Sequence, residues 1–384
     1  MTDRSPWMDD EMALLQDATA KFAQTELVPH IDRWEKQGVV DRDVWLKAGA
    51  MGLLGAAIPV EYGGGGGTLA HELTIYQEIV RNGLSGGFGA GYSVSSGIVG
   101  HYIMAYGTDE QKRRWLPGMA SGKMIGAIAM TEPGAGSDLQ NIRTTATKVA
   151  DGYVINGSKT YISNGQCADL IVVVAKTDPT AAAKGISLVV VEADKAQGFK
   201  RGRNLDKIGM HSQDTSELFF DDCVVPMDNL LGGTPGQGFV QLMQQLAFER
   251  MLIAIASVAA MEQAVELTRD FVRDRSMFGQ KLWDFQNTQF KLAECKTLAT
   301  VGRTFVDTLV ARLIAGELDA TTAAMAKLWA TDTQGKVLDE CLQLFGGAGY
   351  MIEYPIARLY ADARVSRIFG GSNEVMKLII SRTM

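Results

Sequence analysis

Two neighbouring motifs, AIAMTEPGAGSD at residues 127–138 and NGSKTYISNG at residues 156–165, decide how the middle of the chain is interpreted. A strand-like stretch at Ile125–Met130 leads into a tight turn at Pro133–Gly136. Small turn residues let the backbone approach a ligand, and exposed N–H groups can hold an anionic oxygen. Tyr161 adds an aromatic face that suits a flat heteroaromatic ring. The pattern fits either such a binding site or an ordinary turn followed by a hairpin.

The overall composition limits the classes of function. The 384 residues are enough for two or three domains, and 46% hydrophobic with 21% charged residues is usual for a globular protein. The net charge of −7 argues against nucleic acid as a partner. The cysteines are widely spaced and the histidines form no metal-binding motif, so we expect a reducing compartment and no metal site. With no leader-like N-terminus and no apolar run suited to a membrane span, the sequence predicts a cytoplasmic protein.

Hydrophobic periodicity divides the chain into three domains. Helical spacing dominates residues 1–122, with one helix predicted at Leu69–Arg81, and predicts an N-terminal helical domain. Residues 123–235 contain short β-rich stretches with no helix of useful length between them, so we predict a largely antiparallel sandwich or barrel. The predicted strands are Ile125–Met130, Thr144–Val149, Tyr153–Ile155, Leu170–Ala175, Ile186–Val191 and Glu217–Phe220. Residues 236–384 return to helical spacing in four long segments, which is typical of an antiparallel four-helix bundle. These segments are Gly238–Arg275, Phe285–Leu313, Ala320–Leu344 and Tyr354–Val365. The predicted fold class is therefore α+β.

One carboxylate interrupts an apolar helix face. The helix predicted to start at Gly238 has an apolar stripe formed by Leu242, Leu246, Ile253, Ala256 and Ala260. Glu249 falls on the same stripe. Burial would raise the pKa of this carboxylate, which suits a general base that removes a weakly acidic C–H proton. The alternative is a structural glutamate that pairs with Arg250, Arg273 or Arg275.

Five motifs resemble those of the acyl-CoA dehydrogenase family, in the order and at the spacing of that family. They are AMTEPGAGSD, NGSKTYISNG, RSMFGQ at 275–280, QLFGGAGY at 343–350 and RIFGGSNEV at 367–375. The resemblance covers nearly the whole chain and is closest to the long-chain subgroup. It implies helical, β and helical domains in that order, FAD between the β domain and the C-terminal bundle, and a homotetramer built as a dimer of dimers.

The resemblance assigns FAD contacts to both the β domain and the bundle. The segment from Ile128 to Ser137 matches the contact with the flavin ring and pyrophosphate, and Tyr161–Ser163 matches the contact with the other side of the flavin. Segments of the bundle match contacts donated to a neighbouring subunit's cofactor. The expected FAD contacts are Ile128, Met130, Thr131, Gly136, Ser137, Tyr161, Ser163, Arg275, Met277, Phe278, Phe285, Gln286, Gln343, Gly346, Gly347, Ser372 and Glu374.

The resemblance also bears on the catalytic base. Most family members carry the base in the last motif, at the position that is Gly370 here, and a glycine cannot accept a proton. In the long-chain and isovaleryl subgroups the base lies instead on the bundle helix, in a Glu-Arg pair that matches Glu249 and Arg250. We therefore expect Glu249 to be the catalytic base. The residues expected to contact the substrate are Ser137, Phe248, Arg250, Gly370 and Gly371.

These assignments imply FAD-dependent α,β-dehydrogenation of a saturated acyl-CoA, with a long or branched acyl group, to the trans-2-enoyl-CoA. Glu249 would remove the α-proton, and the β-hydrogen would leave as hydride to flavin N5. An electron-transferring flavoprotein is the expected electron acceptor. Two alternatives stay open: an acyl-CoA oxidase that uses oxygen, and a flavin-binding relative that serves as a noncatalytic scaffold.

Overall fold

The computed structural model describes residues 5–384, in which a β-sheet region separates two helical regions. In the first helical region, π-helical segments at Ala23–Leu27 and Ser93–Gly100 interrupt the regular helices. The second of these segments leads directly into the helix that begins at His101. The regular helices are α1 (Asp10–Phe22), α2 (Ile31–Gln37), α3 (Arg42–Ala50), α4 (Leu69–Arg81), α5 (Phe88–Tyr92), α6 (His101–Tyr106) and α7 (Asp109–Ala120).

The middle region is a seven-stranded sheet with the order β1-β4-β2-β3-β7-β6, in which β5 also pairs with β4. Four pairings are antiparallel, β1 is parallel to β4, and β2 meets β4 in parallel at one residue pair. The largely antiparallel sheet predicted from the sequence is confirmed. The strands are β1 (Gly126–Ala129), β2 (Thr145–Val149), β3 (Gly152–Ser163), β4 (Leu170–Lys176), β5 (Ile186–Glu192), β6 (Phe199–Asn204) and β7 (Thr215–Pro226).

The strands β4 and β5 are buried along their length because each face of the sheet meets a different apolar core. Leu170 and Val172 face a cluster that includes Trp115 of α7. Ile171 and Val173 face a second cluster formed by the β strands. Burial on both faces explains why these strands are continuous apolar runs rather than alternating sequences.

Three strands differ most from the sequence-based expectation, namely β3, β6 and β7. The strand β7 extends beyond the predicted Glu217–Phe220 at both ends. β3 continues from the predicted Tyr153–Ile155 through the polar residues after it, because those residues pair with β7 across two register shifts. β6 was not among the predicted strands, since its sequence FKRGRN is charged. It pairs with β7 at the edge of the sheet, where charged residues are common because they discourage further pairing.

The C-terminal region packs its helices around α8 (Gly238–Asp274), which has 37 residues. Alanines on α8 and α10, among them Ala254, Ala260, Ala326 and Ala330, are buried in the same apolar core. Small side chains of this kind let helices approach closely. The other elements are the hairpin β8 (Ser276–Met277) and β9 (Gln280–Lys281), α9 (Gln286–Ile314), α10 (Ala320–Leu344), α11 (Pro355–Ala363) and α12 (Asn373–Ser381).

The helix α8 is long and apolar enough in composition to cross a membrane, although we expected no such run from the sequence. However, 67% of its most apolar window is buried inside the fold. Because a helix buried in a protein core can have the same length and composition, α8 is weak evidence for a membrane span.

Candidate active site

Glu249 lies inside the protein where α6 contacts α8, and only 6% of the residue is exposed. The hydroxyl of Tyr102 donates a hydrogen bond to Glu249 Oε1 at 2.9 Å. Burial raises the pKa of Glu249 to about 7, while the Tyr102 hydrogen bond and the charge of Arg250 oppose this rise. Near neutral pH the carboxyl group is therefore partly ionised, which is the state that a general base requires.

The apolar stripe predicted around Glu249 is not uniformly packed. Leu242 and Ala260, at its two ends, are buried. The residues nearest to the carboxylate are only half-buried, namely Leu246, Ile253 and Ala256. Half-buried apolar side chains beside a buried carboxylate offer a surface that an acyl chain can cover.

Arg250, next to the carboxylate, is 5% exposed, and its Nε has no hydrogen-bond partner among residues 5–384. Burial lowers the pKa of this arginine, and the charge of Glu249 partly restores it. A buried guanidinium with a free donor is suited to hold an oxygen atom of a ligand. Arg273, which the sequence offered as an alternative partner for Glu249, instead stacks over the Trp283 ring at 4.9 Å.

The loop between α11 and α12 carries Gly370 and Gly371, both in the left-handed region with φ of +63° and +88°. A side chain at Gly370 would overlap Ile253 of α8. Lys327 of α10 anchors the loop, since its Nζ donates to the carbonyl oxygen of Gly371 and to Asn373 Oδ1, both at 2.8 Å. Burial lowers the pKa of Lys327 to about 8. Lys327 thus fixes the loop next to Gly370, which has no side chain.

Phe248, an expected substrate contact, lies beside an ion pair. Its ring stacks on His101 at a centroid distance of 4.3 Å. The Nε2 atom of His101 lies 2.9 and 3.1 Å from the two carboxylate oxygens of Glu72 on α4. Burial alone would lower the pKa of His101, but the charge of Glu72 raises it overall. Consecutive residues of α6 therefore meet consecutive residues of α8.

A buried ion pair fastens the first predicted FAD segment to the second. Lys159 Nζ donates to Glu132 Oε1 at 2.9 Å and to the Met130 carbonyl oxygen at 3.0 Å. The next residue, Thr160, donates its backbone N–H to the carbonyl oxygen of Thr131 at 2.9 Å. Two motifs that are about thirty residues apart in the sequence therefore form one rigid unit.

The predicted FAD contacts of this unit offer both ring-binding and polar surface. Tyr161 is 69% exposed and has a φ of +59°. Gly136 and Ser137 are exposed, and apart from the two chain neighbours of Gly136 no described residue comes within 4 Å of the position that a Cβ at Gly136 would occupy. Ser163 is half-buried. An exposed aromatic ring near open glycine backbone and a serine hydroxyl suits a flat ring with an anionic tail.

Two other predicted FAD contacts connect this unit to the buried carboxylate. Ile128 and Met130 are partly buried and pack against the apolar cluster that contains Tyr102. The same apolar cluster therefore borders these β-domain contacts and contains the tyrosine that hydrogen-bonds Glu249.

A separate set of predicted contacts lies at one end of the bundle. Stacking of Phe271 on Phe345 at 4.1 Å brings the ends of α8 and α10 together. The Lys291–Glu340 ion pair at 2.8 Å joins the start of α9 to the same end. Phe285 is half-buried there, and the remaining members of this set are exposed: Arg275, Met277, Phe278, Gln286, Gln343, Gly346 and Gly347. Such a surface, with Phe278 88% exposed, is available to another subunit.

The last two predicted FAD contacts begin α12. Ser372 caps this helix by accepting a hydrogen bond from the Val375 N–H at 3.4 Å, and Glu374 is exposed in its first turn. Glu374 therefore points to solvent and not into the apolar stripe, in contrast to Glu249.

Three residues near the carboxylate were missed by the sequence analysis as functional candidates. Tyr102 contacts Glu249 across 147 positions of sequence, which local patterns do not reveal. Ile253 appeared only as a member of the apolar stripe. Lys327 carried a usable signal, because a lone lysine in the alanine-rich sequence AAMAKLWA is unexpected on a buried helix face.

Comparison with known proteins gives matches along the whole chain. The N-terminal, middle and C-terminal domains of acyl-CoA dehydrogenase match residues 9–123, 127–223 and 236–384. The mitochondrial long-chain specific acyl-CoA dehydrogenase of Mus musculus is 48% identical over 97% of this chain and 86% of its own length. The mitochondrial isovaleryl-CoA dehydrogenase of Solanum tuberosum is 35% identical over 98% of this chain and 91% of its own length.

A solved structure has the same fold. The crystal structure of acyl-CoA dehydrogenase from Geobacillus kaustophilus superposes with a TM-score of 0.94 at 46% identity, covering 99% of each chain. The three domains occur in the order described above, and both the sequence and the fold match over nearly the full length. The chain therefore belongs to the acyl-CoA dehydrogenase family of FAD-dependent enzymes.

Proposed function

We propose that this enzyme catalyses the α,β-dehydrogenation of a long-chain or branched acyl-CoA, with Glu249 as the base that removes the α-proton. The observation that carries the proposal is the buried position of Glu249 on α8, where its pKa is about 7, combined with a glycine at position 370. The terminal loop supplies no carboxylate at that glycine, so the base must come from elsewhere. Glu249 is the ionisable group on the neighbouring apolar stripe.

The proton transfer follows from the chemistry of the site. An apolar environment raises the pKa of a carboxyl group. This brings it closer to the higher pKa of the α-C–H group of a thioester, so proton transfer to the carboxylate becomes less unfavourable. As the α-proton moves to Glu249, negative charge develops on the thioester oxygen. The backbone N–H of Gly370 is the donor that we assign to this oxygen, because Lys327 holds the adjacent Gly371. FAD held against Thr131 and Tyr161 would supply the acceptor for the β-hydrogen, which would leave as a hydride as the carbon–carbon double bond forms.

The substrate assignments extend along α8 and the β domain. The half-buried residues Leu246 and Ile253 support an acyl chain lying beside Glu249. Phe248 would border the acyl chain, and Arg250 would use its free Nε toward a polar group of the substrate. Ser137, which is exposed, would contact the pantetheine arm. Relatives named for long-chain and isovaleryl substrates support a long or branched acyl group.

The FAD contacts that we propose fall into two groups. The flavin would lie against the unit that contains Thr131 and Tyr161, whose exposed ring and open glycine backbone suit it. The exposed bundle end near Phe278 would contact FAD of a second subunit, which favours a homotetramer built as a dimer of dimers. Ser372 and Glu374 would complete the site from the start of α12. We also propose domain boundaries at 122/123 and 235/236.

We propose a cytoplasmic location for this enzyme, although the named long-chain and isovaleryl relatives are mitochondrial proteins. We also propose an electron-transferring flavoprotein as its electron acceptor. Mixing the reduced enzyme with air or with an electron-transferring flavoprotein tests the acceptor. Slow reoxidation by oxygen and rapid reoxidation by the flavoprotein are expected, and rapid peroxide formation would instead indicate an oxidase.

Anaerobic flavin bleaching by butyryl-, isovaleryl-, citronellyl- and palmitoyl-CoA tests the proposed function directly. We expect palmitoyl-CoA or a branched acyl-CoA to bleach the flavin fastest. The Glu249→Gln variant should bind the same substrate without bleaching. Absence of bleaching with every acyl-CoA in the wild type would favour a scaffold, and wild-type bleaching rates in the variant would reject Glu249 as the base.

A further inference from the structure

We propose that Tyr102 is a positioning residue for the base, whose hydroxyl holds Glu249 Oε1 and leaves Oε2 to take the α-proton. The inference rests on the proposed function, because it assigns a role to a residue that contacts the base. Its starting point is the 2.9 Å hydrogen bond from the Tyr102 hydroxyl to Glu249 Oε1.

The ring of Tyr102 is fixed by its surroundings. The residue is fully buried and belongs to the apolar cluster that includes Val99, Ile103, Trp115 and Leu242. A ring packed on all sides cannot change rotamer without disturbing these neighbours. The Tyr102 hydroxyl therefore has a fixed position facing α8, and it holds the Glu249 carboxylate in one orientation.

The backbone before Tyr102 explains why its side chain reaches α8. The π-helical segment Ser93–Gly100 leads without a break into α6 at His101. A π-helical turn contains an extra residue and so shifts the helical register of the residues after it, and such turns are frequent at functional sites. In the resulting register, His101 stacks on Phe248 and Tyr102 bonds Glu249.

In the Tyr102–Glu249 pair, Glu249 is the group that can accept a proton, and Tyr102 keeps its own proton. Burial and the adjacent carboxylate raise the pKa of Tyr102 far above its usual value, so this phenol remains a donor at any working pH. A neutral donor stabilises the ionised form of Glu249 and opposes the effect of burial. Without the hydroxyl, the pKa of Glu249 should rise further, and less of the enzyme would carry an ionised base at neutral pH.

Other charged groups face the same region and remain in place when the Tyr102 hydroxyl is removed. Arg250 lies on α8 itself, and its charge also lowers the pKa of Glu249. Lys327 of α10 is directed to the terminal loop. The His101–Glu72 pair joins α6 to α4. These groups are common to the wild type and the variants, so a change in the pH profile between them reports the lost hydroxyl.

The Tyr102→Phe variant tests the inference because it keeps the ring and removes only the hydroxyl. Tyr106→Phe is a matched control on the same helix, since the Tyr106 hydroxyl donates to Gln244 Oε1 at 2.9 Å and not to a carboxylate. The holoenzyme is reduced anaerobically with palmitoyl-CoA between pH 5.5 and 9. Infrared titration of the protonated carboxyl band measures the ionisation of Glu249 without turnover. The band is assigned to Glu249 by its loss in Glu249→Gln.

We expect Tyr102→Phe to move the rising limb of the pH profile and the infrared midpoint to higher pH by about one pH unit, with roughly tenfold slower reduction at pH 6.5. Tyr106→Phe should retain the wild-type midpoint. A wild-type midpoint in Tyr102→Phe, or an equal shift in both variants, would overturn the inference. Failure of the proposed function itself is distinguishable, because bleaching would then persist in Glu249→Gln.

Discussion

Ile253 packs closely against Gly370, since a Cβ built on Gly370 would lie 2.3 Å from Ile253 Cδ1, and a side chain there would require this methyl group to move. Ile253 is one helical turn from Glu249 on α8. The side chain that packs against Gly370 is therefore on the same helix as the carboxylate. With the Ile253 side chain in this position, a larger residue at position 370 has no room until the Cδ1 methyl moves.

The contact predicts how a side chain at position 370 would be tolerated. Gly370→Ala should lower the free energy of unfolding by about 2 kcal/mol, because the methyl group meets Ile253 and the backbone has positive φ. Combining it with Ile253→Ala should recover part of the loss. Urea denaturation of both single variants and the double variant gives the coupling, and strictly additive effects would contradict the steric explanation.

The burial of Glu249 predicts a cost in stability that depends on pH. A pKa raised from 4.5 to about 7 means that ionisation is disfavoured in the folded state, by about 3 kcal/mol when complete. The cost is absent below about pH 4, grows as the pH rises, and is complete above the folded pKa. Glu249→Gln should therefore be more stable than the wild type at pH 8 and equally stable at pH 4.

Thermal unfolding of the holoenzyme at the two pH values measures this difference. The exposed Glu353→Gln substitution is a suitable control, because it removes one carboxylate without removing a buried charge. Equal stabilisation of both variants would show that net charge, and not burial of Glu249, causes the effect.

The anchor formed by Lys327 predicts that its loss lowers both the stability of the protein and the rate of flavin reduction. Lys327→Met fills a similar volume but leaves the Gly371 carbonyl oxygen and Asn373 Oδ1 without their donor, at a cost of about 2–3 kcal/mol. Movement of the loop should also displace the Gly370 N–H and slow flavin reduction. Lys336→Met, on the exposed side of the same helix, should change neither quantity. Normal reduction kinetics in Lys327→Met would show that the anchor has no effect on the loop.

The elements that the sequence predicts well are those whose signals are local. The bounds predicted for α4 and α10, Leu69–Arg81 and Ala320–Leu344, match the structure because helical periodicity and end signals agree within each segment. The charged strand β6 and the polar half of β3 were not predicted. Their conformation depends on pairing with β7, which comes later in the chain, and a single-strand pattern cannot supply that information.

The residues of the candidate site also differ in whether a local sequence pattern reveals them. Glu249 was recognisable because one carboxylate interrupts an apolar stripe, and Gly370 because a family motif lacks its usual acid. Tyr102, Ile253 and Lys327 act through contacts between distant segments, such as the hydroxyl–carboxylate bond between α6 and α8. Their roles required the packing of the folded chain.

The most direct test of Glu249 as the base follows the α-hydrogen itself. The wild-type enzyme and Glu249→Gln are incubated with a saturated acyl-CoA in D2O under anaerobic conditions, and deuterium at the α-carbon is measured by mass spectrometry. We predict deuterium incorporation with the wild type and, in Glu249→Gln, at least about 100-fold slower incorporation with unchanged substrate binding. Incorporation at the wild-type rate in Glu249→Gln would contradict the assignment of the base.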